Sequence, residues 1–112
     1  MGRPASSGEL VQGTLPLLIL RTLLPGPNHG FAIARRIQQV TKDVLRVEEG
    51  SLYPALHRLE VEGWIASEWR VTENNRNAKY YRLTRTGRKQ LEREATRWNA
   101  IADAIAAVLR EA

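Results

Sequence analysis

Residues 48–65 spell EEGSLYPALHRLEVEGWI, and Ser51, Tyr53, His57 and Arg58 are the side chains in it best equipped for chemistry. Each carries a hydrogen-bond donor, and Arg58 adds a fixed positive charge. Leu52, Leu56 and Leu59 recur at helical spacing and set an inward stripe, so Tyr53, Pro54, His57 and Arg58 point away from it. Such a set donates to anionic oxygens or to the acceptor edges of flat heterocycles. It is not a set for bond-breaking chemistry. The chain has no Gly-rich phosphate loop, no nucleophile elbow and no pairing suited to general acid–base work. Its two histidines, His29 and His57, are separated by a whole helix and lack a carboxylate at ligand spacing, whereas a closed zinc site needs four good ligands. With no cysteine, disulfides, thiolate metal sites and cysteine nucleophiles are excluded. No enzyme activity, cofactor or metal is expected.

The elements that must position these residues follow from the pattern on either side. Residues 1–9 are small, polar and rich in Pro, Gly and Ser, which predicts a flexible arm. Its MGRPAS start matches the loose myristoylation pattern, which we read as a chance match. A first helix should begin at Thr14 as N-cap, with Pro16 in the first turn. Its leucines, among them Leu17 and Leu20, cover almost every side. A helix apolar all round is buried on more than one face, and in a chain this short the second face should meet another subunit. A second helix over about 30–41 turns Ile33, Ile37 and Val40 inward and leaves Phe31, Arg35, Gln38 and Gln39 outward. The third helix is the opening stretch itself, with Ser51 as cap, Pro54 in the first turn and Gly63 as its stop.

Two aromatic and β-branched runs, 64–71 and 78–83, flank the turn-forming TENNRN and predict a hairpin. Trp64 and Trp69 should pack it onto the helices. Tyr80 and Tyr81 alternate faces, so one of them at most is free. A last helix from about Thr86 carries Leu91, Ala95, Trp98, Ala102, Ile105 and Leu109 at alternating steps of four and three, a heptad seam that buries one helix against another. At about 24 residues it would be about 36 Å long and reach past a core this small.

The 112 residues make one small domain with 17 Lys and Arg against 12 Asp and Glu, a net charge of +5. That balance favours an anionic partner. No apolar run approaches the roughly 20 residues that span a bilayer, and the start lacks the apolar region of a signal peptide. A cytoplasmic location and no membrane partner are expected. The order helix, helix, helix, hairpin is that of a winged helix-turn-helix: mainly α with a small β-hairpin, plus a C-terminal dimerisation helix. Residues 10–85 would form the DNA-binding domain and 86–112 the dimerisation helix. In that arrangement the third helix enters the major groove of double-stranded DNA. Ser51, Tyr53, Pro54, His57 and Arg58 would lie at DNA, with Arg35 on an adjacent phosphate. The hairpin contributes Arg70, Arg76, Lys79 and Arg82, of which Arg76 at the tip and Lys79 are the expected contacts. Leu17, Leu20, Leu91, Trp98, Ile105 and Leu109 would form the homodimer. Trp98, flanked by the small Ala95 and Ala102, is also a candidate for stacking a flat apolar or aromatic effector.

The segments HGFAIARRI, EEGSLYPALHRLEVEGWI and KYYRLTRTGRKQL, with GTLPLLILRTL before them, together resemble the PadR family of bacterial transcriptional regulators. The likeness runs over residues 10–110. With one C-terminal helix, the pattern is similar to the small-member subgroup and to its permease-associated, acidobacterial-type members. The resemblance implies dimers, mostly repressors, many of which respond to small molecules. It implies that the LYP helix reads the operator and that the first and last helices make the dimer. Phe31 stands where a Tyr is frequent, which would remove a hydroxyl contact to phosphate. Ser51 stands where a Thr is common, and Pro16 where an Asp is frequent. The alternative is a winged-helix module for protein–protein interaction without specific DNA binding; the basic hairpin and the outward Arg58 speak against it, while Glu48 and Glu49 count the other way.

Overall fold

The structure is a computed structural model that describes the backbone of residues 7–111 and the side chains of residues 13–111. Most of the expected flexible arm lies outside the described residues, and its last three positions, 7–9, are helical. The elements run α1 (Ser7–Thr22), β1 (Asn28–His29), α2 (Gly30–Val40), α3 (Glu49–Val61), β2 (Ile65–Val71), β3 (Asn77–Leu83) and α4 (Arg85–Arg110).

One core gathers all of them except β1. Leu15, Ile19, Leu20 and Leu23 of α1 meet Ile33 and Ile37 of α2, Leu52, Leu56 and Leu59 of α3, and Ile65, Tyr81 and Leu91. Burying each Leu or Ile contributes about 1.5–3 kcal/mol, which suffices to fix the helices around α3. Val40, expected to continue the inward stripe, is 63 % exposed, because α2 ends there and the core does not extend under its last turn.

Two expected helix starts are corrected. α1 begins seven residues before Thr14, so Thr14 is not its cap and Pro16 lies inside the helix, where its ring removes one helical donor. α3 begins at Glu49 with Glu48 as N-cap and no side-chain cap. Ser51 is the third helical residue, its N–H donating to the Glu48 carbonyl at 3.0 Å. Pro54 is the sixth, past the first turn. Glu49 in the first turn supplies the negative charge that favours a helix N-terminus.

The end of α3 follows expectation. Gly63 adopts φ +79°, open to glycine at no steric cost. The Trp64 N–H then donates to the Leu59 carbonyl and the Gly63 N–H to that of Glu60, both at 3.0 Å, a Schellman closure.

The hairpin gains a third strand that the sequence pattern does not predict. β1 pairs antiparallel with β3, Asn28 opposite Tyr81 and His29 opposite Tyr80, giving the order β1-β3-β2. In the β2–β3 ladder Ile65 faces Leu83, Ser67 faces Tyr81 and Trp69 faces Lys79. These pairs share the sheet face that turns toward α3, since Ile65 and Tyr81 are buried there. The tip closes with the Thr72 N–H on the Arg76 carbonyl at 2.7 Å, and Asn75 supplies the positive φ of +57°.

α4 starts one residue before Thr86, capped by Thr84, whose hydroxyl accepts from the Gly87 N–H at 3.0 Å. Gly87 must be glycine: a Cβ there would stand 2.9 Å from the Trp64 carbonyl carbon and overlap its oxygen. The helix has 26 residues, and the molecule is 56 Å in its longest dimension.

Candidate nucleic-acid interface

The outward side of α3 carries Gly50, Pro54, His57, Arg58 and Val61, all exposed. Its two flanks differ. On one, Tyr53, His57 and Glu60 face the wing, the β2–β3 hairpin, across a groove of about 570 Å³ that also takes in Phe31, Trp69 and Lys79. On the other, Ser51, Pro54 and Arg58 face α1 over a recess with Leu15 and Pro16. The expected DNA-reading residues of α3 therefore form two groups on either side of the helix crest. Pro54 and His57 lie nearest the crest.

Tyr53 is held where α2 begins. Its ring lies so close to Gly30 that a Cβ there would approach it at 3.1 Å, and Gly30 is buried. The same turn of chain is fixed by His29, whose Nδ1 accepts from the Ala32 N–H at 3.3 Å and whose ring meets the Tyr80 ring edge-on at 5.4 Å. The His-Gly pair thus aims α2 and seats Tyr53 together.

The cations of α2 and the wing are not equivalent. Arg35, Arg76 and Arg82 are exposed and take no part in the three ion pairs among the described residues. Arg35 lies with its guanidinium 5.7 Å from the Phe31 ring centre. Arg70 pairs with Glu68 at 3.3 Å and stacks over Tyr80 at 5.0 Å, on the face away from α3. Lys79, expected as a DNA contact, is engaged within the chain: its Nζ is 3.5 Å from a Glu60 carboxylate oxygen and 5.8 Å from the Tyr81 ring centre. The other Glu60 oxygen accepts from the Ser67 hydroxyl. Burial, then the neighbouring Glu60 and Tyr53, push the Tyr81 phenol above its ordinary 10.0, so it stays neutral as a core residue should.

Trp69 was expected to pack inward and instead is 68 % exposed, because it lies on β2 beyond the edge of the core. Trp64 is half-buried against that core, as expected. Tyr81 is buried and Tyr80 is not.

At the other end, Leu20 and Leu91 belong to the chain's own core and leave no surface for a partner, a correction to their expected role in the dimer. Leu17, Trp98, Ile105 and Leu109 keep exposed surface, and so do Ile101 and Val108 on the same helix. Trp98, 43 % exposed, lines a cleft of about 450 Å³ between α1, α3 and α4 together with Leu17, Arg58 and Trp64. Ala95 and Ala102 are part-buried and do not line that cleft. The places of Glu60, Gly30 and Trp69 at this site are not apparent from the sequence pattern. The HG pair was the available signal for Gly30. Glu60 shows only once the strand register is known.

Three packed helices, a wing and an exposed helix crest beside it define a winged helix-turn-helix DNA-binding protein. The Transcriptional regulator PadR-like family matches residues 19–93, two-thirds of the chain, and the chain belongs to that family. It is a DNA-binding regulator of transcription, not an enzyme. A transcriptional regulator of Mycobacterium tuberculosis is 36 % identical over 83 residues, 74 % of this chain and 74 % of that one. A PadR family transcriptional regulator from Eggerthella lenta superposes with TM-score 0.77 at 32 % identity, covering 93 % of this chain and 88 % of that chain. A transcriptional regulator from Clostridium thermocellum gives TM-score 0.79 at 28 % identity over 88 % of this chain and 96 % of that one. No helix among the described residues is long and apolar enough to cross a membrane.

Proposed function

We propose that the chain is a cytoplasmic homodimeric repressor that binds a palindromic operator and is released by a small apolar or aromatic effector. The observation that carries this reading is the uncovered apolar side of the distal half of α4, where Leu109 is 79 % exposed. A helix that leaves such a seam in water buries it against a second copy. Residues 10–85 then form the reading head and 86–112 the dimerisation helix, with Leu17, Trp98, Ile105 and Leu109 at the seam. The two α3 helices enter successive major grooves roughly 34 Å apart. His57 and Arg58 reach base edges, Ser51, Tyr53 and Pro54 approach the backbone, and Arg35 and Arg76 hold phosphates. Binding over a promoter occludes it.

An effector must favour one arrangement of the dimer over the other. The cleft beside Trp98 suits one, because its lining joins α4 to Arg58 of the reading helix. Gel shifts with the chain's own upstream DNA at two salt concentrations test the operator, and sedimentation at micromolar concentration tests the dimer. Equal weak affinity for all duplexes, or a monomer, refutes the reading. Titration with planar aromatic compounds should quench tryptophan fluorescence in the wild type and not in Trp98→Ala.

A further inference from the structure

Of the three ion pairs among the described residues, only Lys79–Glu60 joins two elements; Arg70–Glu68 lies within β2 and Arg97–Glu94 within α4. Glu60 does more than pair. Its carboxylate projects from the wing flank of α3, accepts from Ser67 of β2 through one oxygen and faces Lys79 of β3 with the other. One side chain thus joins the reading helix to both strands of the wing. Ser67 stands opposite Tyr81 in the ladder and Trp69 opposite Lys79, so the two wing residues that Glu60 touches lie on the single sheet face turned toward α3. Both members of the pair keep about a third of their side-chain surface open, 38 % for Lys79 and 32 % for Glu60. The lysine is therefore reachable, yet its charge is balanced. Tyr81, under the Lys79 ammonium, supports it from below.

We propose that Glu60 is a positioning residue that clamps the wing to α3 and, by holding Lys79, keeps that cation off the phosphates of bound DNA. This rests on the DNA-reading assignment of the preceding section. A cation on a phosphate adds affinity to every sequence alike and carries no sequence information. Withholding one from a protein of net charge +5 lowers indiscriminate binding while leaving the base-reading crest of α3 untouched. The contact also fixes how far the wing stands from the major-groove helix, and with it the spacing between groove contacts and wing-tip contacts. Arg76 at the tip, without an acidic partner among the described residues, remains available for its phosphate.

The test uses the whole chain as wild type, Glu60→Gln, Lys79→Met and the double variant. Glutamine keeps an acceptor for Ser67 and drops the charge that holds the lysine. Fluorescence anisotropy is measured on a duplex from the chain's own upstream region and on a scrambled duplex across a salt series. Lys79→Met should leave the salt slope at its wild-type value. Glu60→Gln should steepen it by about two units on both duplexes, one contact for each protomer of the proposed dimer, and raise affinity for both more than about tenfold near physiological salt, with their ratio unchanged. The double variant should return to wild type. A flatter slope in Lys79→Met would place the lysine already on phosphate and overturn the proposal. So would a double variant that keeps the gain, since the lost carboxylate alone would then explain it. Without DNA, the amide resonances of Ser67 and Lys79 should move in Glu60→Gln while those of α4 stay; unmoved resonances refute the clamp. A wild-type chain that binds neither duplex overturns the DNA-reading assignment and the withholding of Lys79 with it, while the resonances still decide the clamp.

Discussion

The two halves of α4 are one continuous helix in two different environments. The first half is locked into the reading head: Gly87 abuts the Trp64 carbonyl, Leu91 is in the core, and Thr84 and Thr86 both donate to the Gly63 carbonyl, at 2.7 and 2.9 Å. The second half has the same seam spacing and almost no cover; Ile105, Val108 and Leu109 are all exposed. The difference is one of division of labour. The head is a complete core without a partner, whereas the distal half has an apolar stripe that none of the described residues buries.

Breaking the locked half should cost most. Gly87→Ala forces a methyl group onto a backbone carbonyl that cannot retreat without losing its bond from the Thr84 N–H, 3.1 Å long. A loss of about 3 kcal/mol in urea unfolding is expected, at the upper end of overpacking costs. Breaking the open half should spare the head and uncouple the copies. Ile105→Glu should sediment as a monomer at micromolar concentration and bind the operator about a hundredfold more weakly, about 2.7 kcal/mol, with near-wild-type circular dichroism. If Ile105→Glu instead unfolds the head, the halves are not separable.

Within the head, Gly30→Ala should cost about 1 kcal/mol in thermal or urea unfolding, because only the flexible Tyr53 ring has to give way. It should also weaken operator binding if Tyr53 sits at the DNA. The smallest effect belongs to the wing tip. Arg76→Ala should leave stability unchanged, weaken all sequences alike and reduce the salt slope by about two, one contact for each protomer of the proposed dimer.

The helices were legible because their apolar spacing is regular: Ile33 and Ile37, and Leu52, Leu56 and Leu59, are where periodicity puts them. The hairpin and the Gly63 stop were legible for similar local reasons. Caps were not. Ser51 and Thr14 have the right chemistry, but which residue caps is decided by where the backbone leaves helical angles, and that happened earlier in both helices. β1 is two residues long and exists only because β3 offers it an edge, which no local pattern encodes. Trp69 shows that a large apolar residue on the inward sheet face need not be buried when its strand outruns the core. Of the site, the outward crest of α3 was legible from the leucine stripe. The engagement of Lys79 was not, since it joins residues 19 positions apart through a sheet register.

The two threonine hydroxyls on the Gly63 carbonyl bring the feet of the wing to one point. The excursion from Trp64 to Leu83 leaves and returns at the same knot, like a handle fixed at a single rivet. Residues added to or trimmed from its far end, around Glu73–Asn75, change how far the handle reaches along a duplex without turning α3 relative to α4. A chain built this way can vary its reach over flanking DNA separately from the setting of α3 on α4.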